Sequence, residues 1–273
     1  QWPEKDPRNR YIEIANPLTS LQTALRTSLL PGLLRVIREN PHTEQKGIKI
    51  FEIGKVFLPG KNGRGLPGEG MHLTAILSGR AFPKQWITES RDFDYFDMNG
   101  EIESILAMFL SLNDINLERD IESKPQFVFK WFNRNDLVAE SGLISDLERY
   151  QIDSQLFYFT LYLDTLGDTF MQQSYVKPSP YPAVKRDLCV IAGGRVNFSD
   201  IRKVVLRNSK YLEEITLFDY YVDEDSEEDS RSYTFSLSFR SDQGTLKDSR
   251  VNKIIDKILR ALELELKVFL RQE

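Results

Sequence analysis

IKIFEIGKVFLPG, residues 48–60, decides how the first half of this chain folds. Branched and aromatic residues dominate it as far as Phe57, which predicts a β-strand. A helix with one apolar face is predicted before it, over residues 29–40, and a further strand after it, over residues 72–79. The glycine-rich stretch 61–70 predicts a mobile loop between the two strands.

Composition narrows the classes of function. The chain has 273 residues and a net charge of −5, which allows one or two domains and argues against binding nucleic acid over its whole surface. One cysteine, Cys189, excludes an internal disulfide framework, and with two histidines it cannot form the usual zinc cluster. No apolar run is long enough to cross a membrane, and the polar N-terminus lacks a signal-peptide centre. We therefore expect a cytoplasmic protein, and a fragment of something longer.

The second half begins after three closely spaced prolines within residues 175–187, which predicts domains over 1–172 and 173–273. A helix from about Asn99 and several strands over 125–163 complete the first domain. The second domain alternates between strand and helix patterns: strand 187–193, helix 197–208, strands 215–222 and 232–239, helix 249–264 and strand 267–271. This order predicts a ferredoxin-like βαββαβ domain, and the whole chain an α+β fold.

FEIGKVF, residues 51–57, is similar to the strand FEIGxxFRxE that crosses the floor of the ATP site in class II aminoacyl-tRNA synthetases. NPLTSLQTALRTSLLPGLL (16–34) lies before it and DFDYFDMNGEIE (92–103) follows it. YPAVKRDL (181–188) and SYTFSLSFR (232–240) occur in the second domain. Through these motifs the chain resembles the C-terminal part of the β subunit of bacterial phenylalanyl-tRNA synthetase. The resemblance implies a class II synthetase-like antiparallel sheet followed by a ferredoxin-fold anticodon-binding domain.

The same resemblance implies that the first domain has no catalytic residues. In synthetases the strand's arginine binds the α-phosphate of ATP, but Leu58 stands at the arginine position and Gly60 at that of the following glutamate. Leucine cannot stabilise phosphate charge. The family's catalysis belongs to the α subunit, so we expect no cofactor in this fragment and ATP and Mg²⁺ only in the holoenzyme. The partners implied are the α subunit and tRNA(Phe), with no DNA and no membrane.

The resemblance also implies a set of RNA contacts in the second domain. Five positions follow from the family: Arg207, Asp219, Tyr221, Ser232 and Arg271. Three further cations lie beside the strands predicted to bind and are candidates for phosphate contacts: Lys185, Arg186 and Arg240. Residues 223–230 form an acidic run, and we expect that loop to point away from RNA.

Two other readings of the sequence stay open. The first domain could be an active ligase with a displaced phosphate clamp at Lys61 or Arg64. The βαββαβ domain could instead be an amino-acid-binding regulatory module attached to such a ligase. His42, His72 and Cys189 are better explained as structural residues, because the sequence offers none of them a catalytic neighbour.

Overall fold

A computed structural model describes residues 6–19, 23–40, 47–60, 66–82, 85–87, 89–120, 128–144, 155–167, 170–171, 177–222 and 230–271. The chain divides into two compact units, Gln1–Gln173 and Ser174–Glu273. This division lies one residue from the boundary predicted from the prolines. Among the described residues, no helix combines the length and the apolar character needed to cross a membrane.

The first unit is built on one large antiparallel sheet. In chain order its elements are β1 (Ile12–Glu13), β2 (Ala24–Leu25), α1 (Leu30–Glu39), β3 (Ile48–Leu58), β4 (Gly68–Ser78), α2 (Tyr95–Leu106), β5 (Ile115–Asp120), β6 (Val128–Asn133), β7 (Asp136–Ile144), β8 (Leu156–Tyr162) and α3 (Leu163–Leu166). Six strands form the sheet in the order β3-β4-β8-β7-β6-β5, while β1 and β2 form a separate two-stranded pair. The predicted antiparallel sheet is confirmed.

Helices α1 and α2 cover opposite faces of this sheet. Leu34 of α1 belongs to a core that includes Ile76 of β4. Ile102 of α2 belongs to a second core that includes Leu77, the next residue of the same strand. Because successive side chains of a strand point to opposite faces, the two cores lie on the two sides of the sheet.

Helix α2 begins four residues earlier than predicted. The prediction placed its start near Asn99, but the helix starts at Tyr95. The carboxylate of Asp94 accepts hydrogen bonds from the backbone N–H groups of Phe96 at 2.8 Å and Asp97 at 3.0 Å. The Asp97 carboxylate accepts one from the Asp94 N–H at 3.0 Å, which completes a capping box. These bonds satisfy N–H groups that have no partner within the helix.

The prediction of a mobile loop over residues 61–70 is wrong for its last three residues. β4 already begins at Gly68, which pairs with Leu58 at the end of β3. The backbone groups of β3 need partners over its full length, and the hairpin supplies them. Residues 61–65 lie outside the described part of the chain.

The second unit has the predicted βαββαβ order. Its elements are β9 (Val184–Ala192), α4 (Phe198–Asn208), β10 (Leu212–Val222), β11 (Arg231–Phe239), α5 (Asp248–Leu266) and β12 (Phe269–Leu270). The four strands form an antiparallel sheet in the order β10-β11-β9-β12. This is the ferredoxin-like plan, and that prediction is confirmed.

Both helices of the second unit pack on the same face of its sheet. Phe235 and Phe239 of β11 are fully buried there in one core with Val205 of α4 and Ile258 of α5. The aromatic side of β11 therefore lies under the helices, as its alternation predicts.

The prediction that β9 is apolar on both faces is wrong. Ile191 is 39% exposed and Asp187 is exposed, while their neighbours Leu188 and Val190 are buried. Because α4 and α5 cover only one face, the odd-numbered residues of β9 lie on a face that no described element covers.

Candidate nucleic-acid interface

On the face of the first sheet that carries position 58, Arg8 forms buried ion pairs with carboxylates of the same chain. Arg8 Nη1 lies 2.8 Å from Glu140 Oε1, and Arg8 Nη2 lies 2.7 Å from Asp6 Oδ2. The hydroxyl of Tyr158 donates to Glu140 Oε1 at 3.1 Å. The side chain of Glu140 is buried, with only 4% of it exposed. We call Asp6, Arg8, Glu140 and Tyr158 the closed cluster. Its ions are paired and hydrogen-bonded, as buried charges must be.

Burial and pairing shift the pKa values of the closed cluster. Burial alone would raise the pKa of Asp6, but the contact with Arg8 outweighs it. Burial alone would lower the pKa of Arg8, but the contacts with Asp6 and Glu140 outweigh it. The pKa of Asp6 is therefore lowered and that of Arg8 raised. Burial, together with the nearby Glu140 charge, raises the pKa of Tyr158 well above its usual range. These shifts favour an ionised Asp6, a charged Arg8 and a neutral Tyr158 phenol.

A second arginine lies across β3 on this same face. Arg26 forms an ion pair with Glu52, and its Nε donates to the carbonyl of Lys55 at 2.7 Å. A β-carbon at position 54 would lie 2.2 Å from Arg26 Nη2, so this close approach favours Gly54. The glycine of the FEIG motif here makes room for an arginine.

The residues on this face do not fit ATP. A triphosphate needs unpaired cations, whereas the described cations on the sheet face, Arg8, Arg26 and Lys130, each pair with a carboxylate of the chain. Leu58 is half-buried and carries no polar side-chain atom. The alternative clamp residues, Lys61 and Arg64, lie outside the described residues.

The histidine of β4 is a structural residue in this environment. The His72 ring packs edge-on against Tyr162, with ring centroids 4.8 Å apart. Burial lowers its pKa, and the neighbouring charges of Asp164, Arg8 and Glu140 modify that shift. Within the described residues, no three histidine, cysteine, aspartate or glutamate side chains lie close enough together to hold a metal ion.

The second sheet presents a face that neither α4 nor α5 covers, with ordered rows of side chains, of which Ser238 in the last row is buried. Ladder partners lie side by side and share a face, so the strand register gives these rows directly. The first row is Tyr221, Ser232, Ile191 and Phe269; the second is Asp219, Thr234, Cys189 and Arg271; the third is Thr216, Ser236 and Asp187; the fourth is Glu214, Ser238 and Lys185. We call these four rows the open face.

The open face contains five of the eight predicted contact residues: Lys185, Asp219, Tyr221, Ser232 and Arg271. They come from three strands and from the residue directly after β12, so the fold brings together positions up to 86 residues apart in the sequence. Tyr221 is 60% exposed at one end of the first row, and Phe269 is 51% exposed at the other. Their role in RNA binding stays a prediction.

The other three predicted residues lie elsewhere and have partners. Arg186 lies on the helix side of β9 and forms an ion pair with Asp248 at the start of α5. Arg207, in the last turn of α4, has its Nη2 2.8 Å from Glu265 Oε2. Arg240 follows β11 at the end remote from Tyr221 and binds Glu213, with Nε 2.9 Å from Oε2.

Cys189 is a central residue of the open face that sequence reasoning assigned to packing. Its Sγ lies 3.3 Å from Ser232 Oγ and 3.5 Å from Thr234 Oγ1. Burial raises the pKa of the thiol, but hydrogen bonds from Ser232, Thr234 and Arg271 outweigh it, so the pKa is lowered. Asp187, two residues earlier in β9, was the available signal that this side of the strand is not core.

Two family profiles match the chain. "Phenylalanyl tRNA synthetase beta chain CLM domain" matches residues 1–129, and "Ferredoxin-fold anticodon binding domain" matches residues 179–271.

Curated relatives match almost the whole chain. The phenylalanine–tRNA ligase β subunit of Moorella thermoacetica is 30% identical over 99% of this chain and 34% of its own length. The β subunit of Syntrophotalea carbinolica is 30% identical over 95% of this chain and 33% of its own length. The chain therefore spans about a third of the length of these relatives. A solved pyrrolysyl-tRNA synthetase from Desulfitobacterium hafniense matches 60% of this chain and 54% of its own length, at 17% identity and a TM-score of 0.44. The two profiles and the relatives together show that the chain belongs to the family of phenylalanyl-tRNA synthetase β chains.

Proposed function

We propose that this chain works as the C-terminal part of the non-catalytic β subunit of phenylalanine–tRNA ligase, packing against the catalytic α subunit and binding the anticodon stem-loop of tRNA(Phe) during aminoacylation. The observation that carries the proposal is the open face. It joins exposed aromatic rings, hydroxyls and a few charged groups on a rigid sheet, which is the chemistry used to bind unpaired bases.

Each part of the open face has a physical role in this proposal. The rings of Tyr221 and Phe269 offer flat surfaces on which bases stack. Asp219 and Ser232, on adjacent strands, supply an acceptor and a hydroxyl that can read base edges. The small side chains of β11 let a nucleotide chain approach the sheet closely, and Arg271 and Lys185 suit phosphates.

The first unit supports the proposed packing against α through the edge strand β3. Phe51 is 67% exposed and Ile53 is 54% exposed on the side of β3 that faces away from the closed cluster. A cavity of about 360 Å³ beside them is lined by Leu73, Leu77 and other residues of the sheet and of α2. An apolar patch of this kind is typical of a protein interface.

The closed cluster favours a structural rather than a catalytic role for the first unit. Arg8 neutralises the carboxylates on the face where a synthetase binds ATP, and Leu58 replaces the phosphate clamp. ATP and Mg²⁺ would then be bound by the α subunit, in the cytoplasm where aminoacylation takes place.

The experiment that tests the proposal is a filter-binding titration of the chain with tRNA(Phe) between about 50 and 200 mM salt. We expect saturable binding at low salt that weakens as salt rises, because phosphate contacts release counterions. A tRNA with another anticodon is the control and should bind more weakly. Equal binding of both tRNAs, or none of either at low salt, would contradict the proposal.

A parallel measurement separates the proposal from the active-ligase alternative. The chain alone should give no ATP–pyrophosphate exchange with phenylalanine or with any other amino acid. Robust exchange would show a working ligase with a displaced clamp. Calorimetry with free amino acids tests the regulatory-module alternative, for which tight binding is required.

A further inference from the structure

A surface depression of about 450 Å³ lies at the end of the second sheet where the first row of the open face ends. The chain turns there from β9 towards α4, and it also passes there from α5 into β12. The residues that line the depression are Gly193, Gly194, Arg195, Val196, Leu266, Lys267 and Phe269. None of them is acidic, and two are cations.

These two cations differ from three of the arginines that the sequence predicts as RNA contacts. Arg186, Arg207 and Arg240 each pair with a carboxylate. Arg195 and Lys267 are exposed and have no ion pair with any residue in the described part of the chain. Their charge is therefore available to an anion from outside.

Lys267 also has an unusual backbone conformation. Lys267 ends α5 in the left-handed conformation, with φ 57° and ψ 40°, and its N–H donates to the carbonyl of Glu263 at 3.2 Å. This helix-ending position is the one where glycine is usual, and a residue with a β-carbon costs about 1 kcal/mol or more there. The chain keeps a lysine at this cost, on the rim of the depression.

The charge of the open face explains why a separate phosphate site is needed. Lys185 and Arg271 contribute +2, whereas Asp187, Glu214 and Asp219 contribute −3, so the face carries −1. On this face the two cations that suit phosphates, Lys185 and Arg271, are outnumbered by three carboxylates, so the face as a whole attracts a phosphate backbone weakly. Arg195 and Lys267 add +2 and make the combined surface positive.

Phe269 links the two regions. It lines the depression and also ends the row that starts at Tyr221, three strand spacings or about 14 Å away. A single-stranded segment that stacks on this row and crosses the sheet towards β12 therefore arrives at the two cations.

We propose that Arg195 and Lys267 form a phosphate site in this depression, and that it holds the backbone of the same RNA whose bases stack on the open face. This inference rests on the proposed tRNA binding. It names two residues that add to the electrostatic part of that binding, and neither is among the eight contacts predicted from the sequence.

The test is the salt dependence of tRNA(Phe) affinity for the double variant Arg195→Gln/Lys267→Gln. Each phosphate neutralised in single-stranded RNA contributes about 0.7 to the slope of log K against log salt. We expect the double variant to bind more weakly at low salt and to lose about 1.4 from the magnitude of that slope. The matched control is Lys253→Gln/Lys257→Gln, which removes the same charge from exposed positions of α5 on the helix side.

The outcomes separate the two proposals. If the unaltered chain does not bind tRNA, the proposed function fails. If it binds, and the double variant keeps the original slope or the control loses as much, the phosphate site fails while the proposed function stands. Circular dichroism of both variants establishes that the fold is retained.

Discussion

The two sheets of this protein each carry a face with polar and charged side chains, but only one of those faces is open. In the first unit, Arg8 enters from a segment before the sheet and pairs with Glu140 at 2.8 Å. In the second unit, no described element covers Asp219, Ser232 and Tyr221. Similar residue types therefore have opposite uses, because one set is satisfied by the chain and the other is available to a partner.

The comparison teaches that residue identity alone does not mark a binding site. If a ligand supplied the positive charge that Arg8 supplies, Glu140 and Tyr158 would resemble a polar binding site. Their burial and mutual pairing instead make them part of the stability of the fold. Exposed charged groups without an ion pair among the described residues are the property that distinguishes the open face.

The largest expected effect comes from breaking the closed cluster. Arg8→Met leaves Glu140 and Asp6 without their counter-charge, and removing one partner of a buried ion pair costs about 3–5 kcal/mol. Urea unfolding followed by tryptophan fluorescence measures this in the first unit specifically, because Trp2, Trp86 and Trp131 all belong to it.

The control for this prediction is an exposed ion pair in the same unit. Lys49 pairs with Glu101, and the two side chains are 54% and 43% exposed. Lys49→Met should therefore cost about 1 kcal/mol or less. An Arg8→Met effect as small as the control would show that the cluster does not hold the sheet face closed.

A smaller effect, on binding rather than stability, is expected from Tyr221→Ala on the open face. Loss of one stacking surface for a base costs about 1–3 kcal/mol, or about 5- to 150-fold in affinity for tRNA(Phe). Tyr220→Ala is the matched control, because that ring lies 5.2 Å from Tyr233 on the helix side. Filter binding at one salt concentration compares them, and equal losses would contradict the assignment of the open face.

The smallest expected effect is a difference in pH dependence between the units. His72 in the first unit has a lowered pKa, whereas the second unit contains no histidine. The stability that His72 contributes is fully present above its unfolded pKa of about 6.5 and is lost as the pH falls through its folded pKa. Unfolding followed by tryptophan fluorescence from pH 7.5 downwards should show this loss, and His72→Gln should remove it. A pH profile unchanged by His72→Gln would contradict the prediction.

The parts of the fold that sequence reasoning found are those with local signals. The alternation in RSYTFSLSF separates the buried aromatic side of β11 from its hydroxyl side, because a strand has a period of two. Asp94 and Asp97 also form a local signal, the capping box that fixes the start of α2, although the apolar stripe alone placed that start too late.

The parts that it missed depend on distant contacts. Arg8 and Glu140 are 132 residues apart, and no local pattern pairs them. Ile191 and Cys189 have the composition of a core strand, so only the placement of both helices on the other side reveals that they lie on the open face. Arg195 and Lys267 line one depression because a turn after β9 and the end of α5 come together at one end of the sheet.

The central claim is that RNA binds the open face while the closed cluster excludes nucleotide. Cys189 reports on it directly, because it is the only cysteine of the chain and lies in the second row of the open face. Its lowered pKa favours the reactive thiolate. We predict that saturating tRNA(Phe) slows alkylation of Cys189 by N-ethylmaleimide, whereas ATP with Mg²⁺ leaves the rate unchanged. An unchanged rate with saturating tRNA would contradict the account.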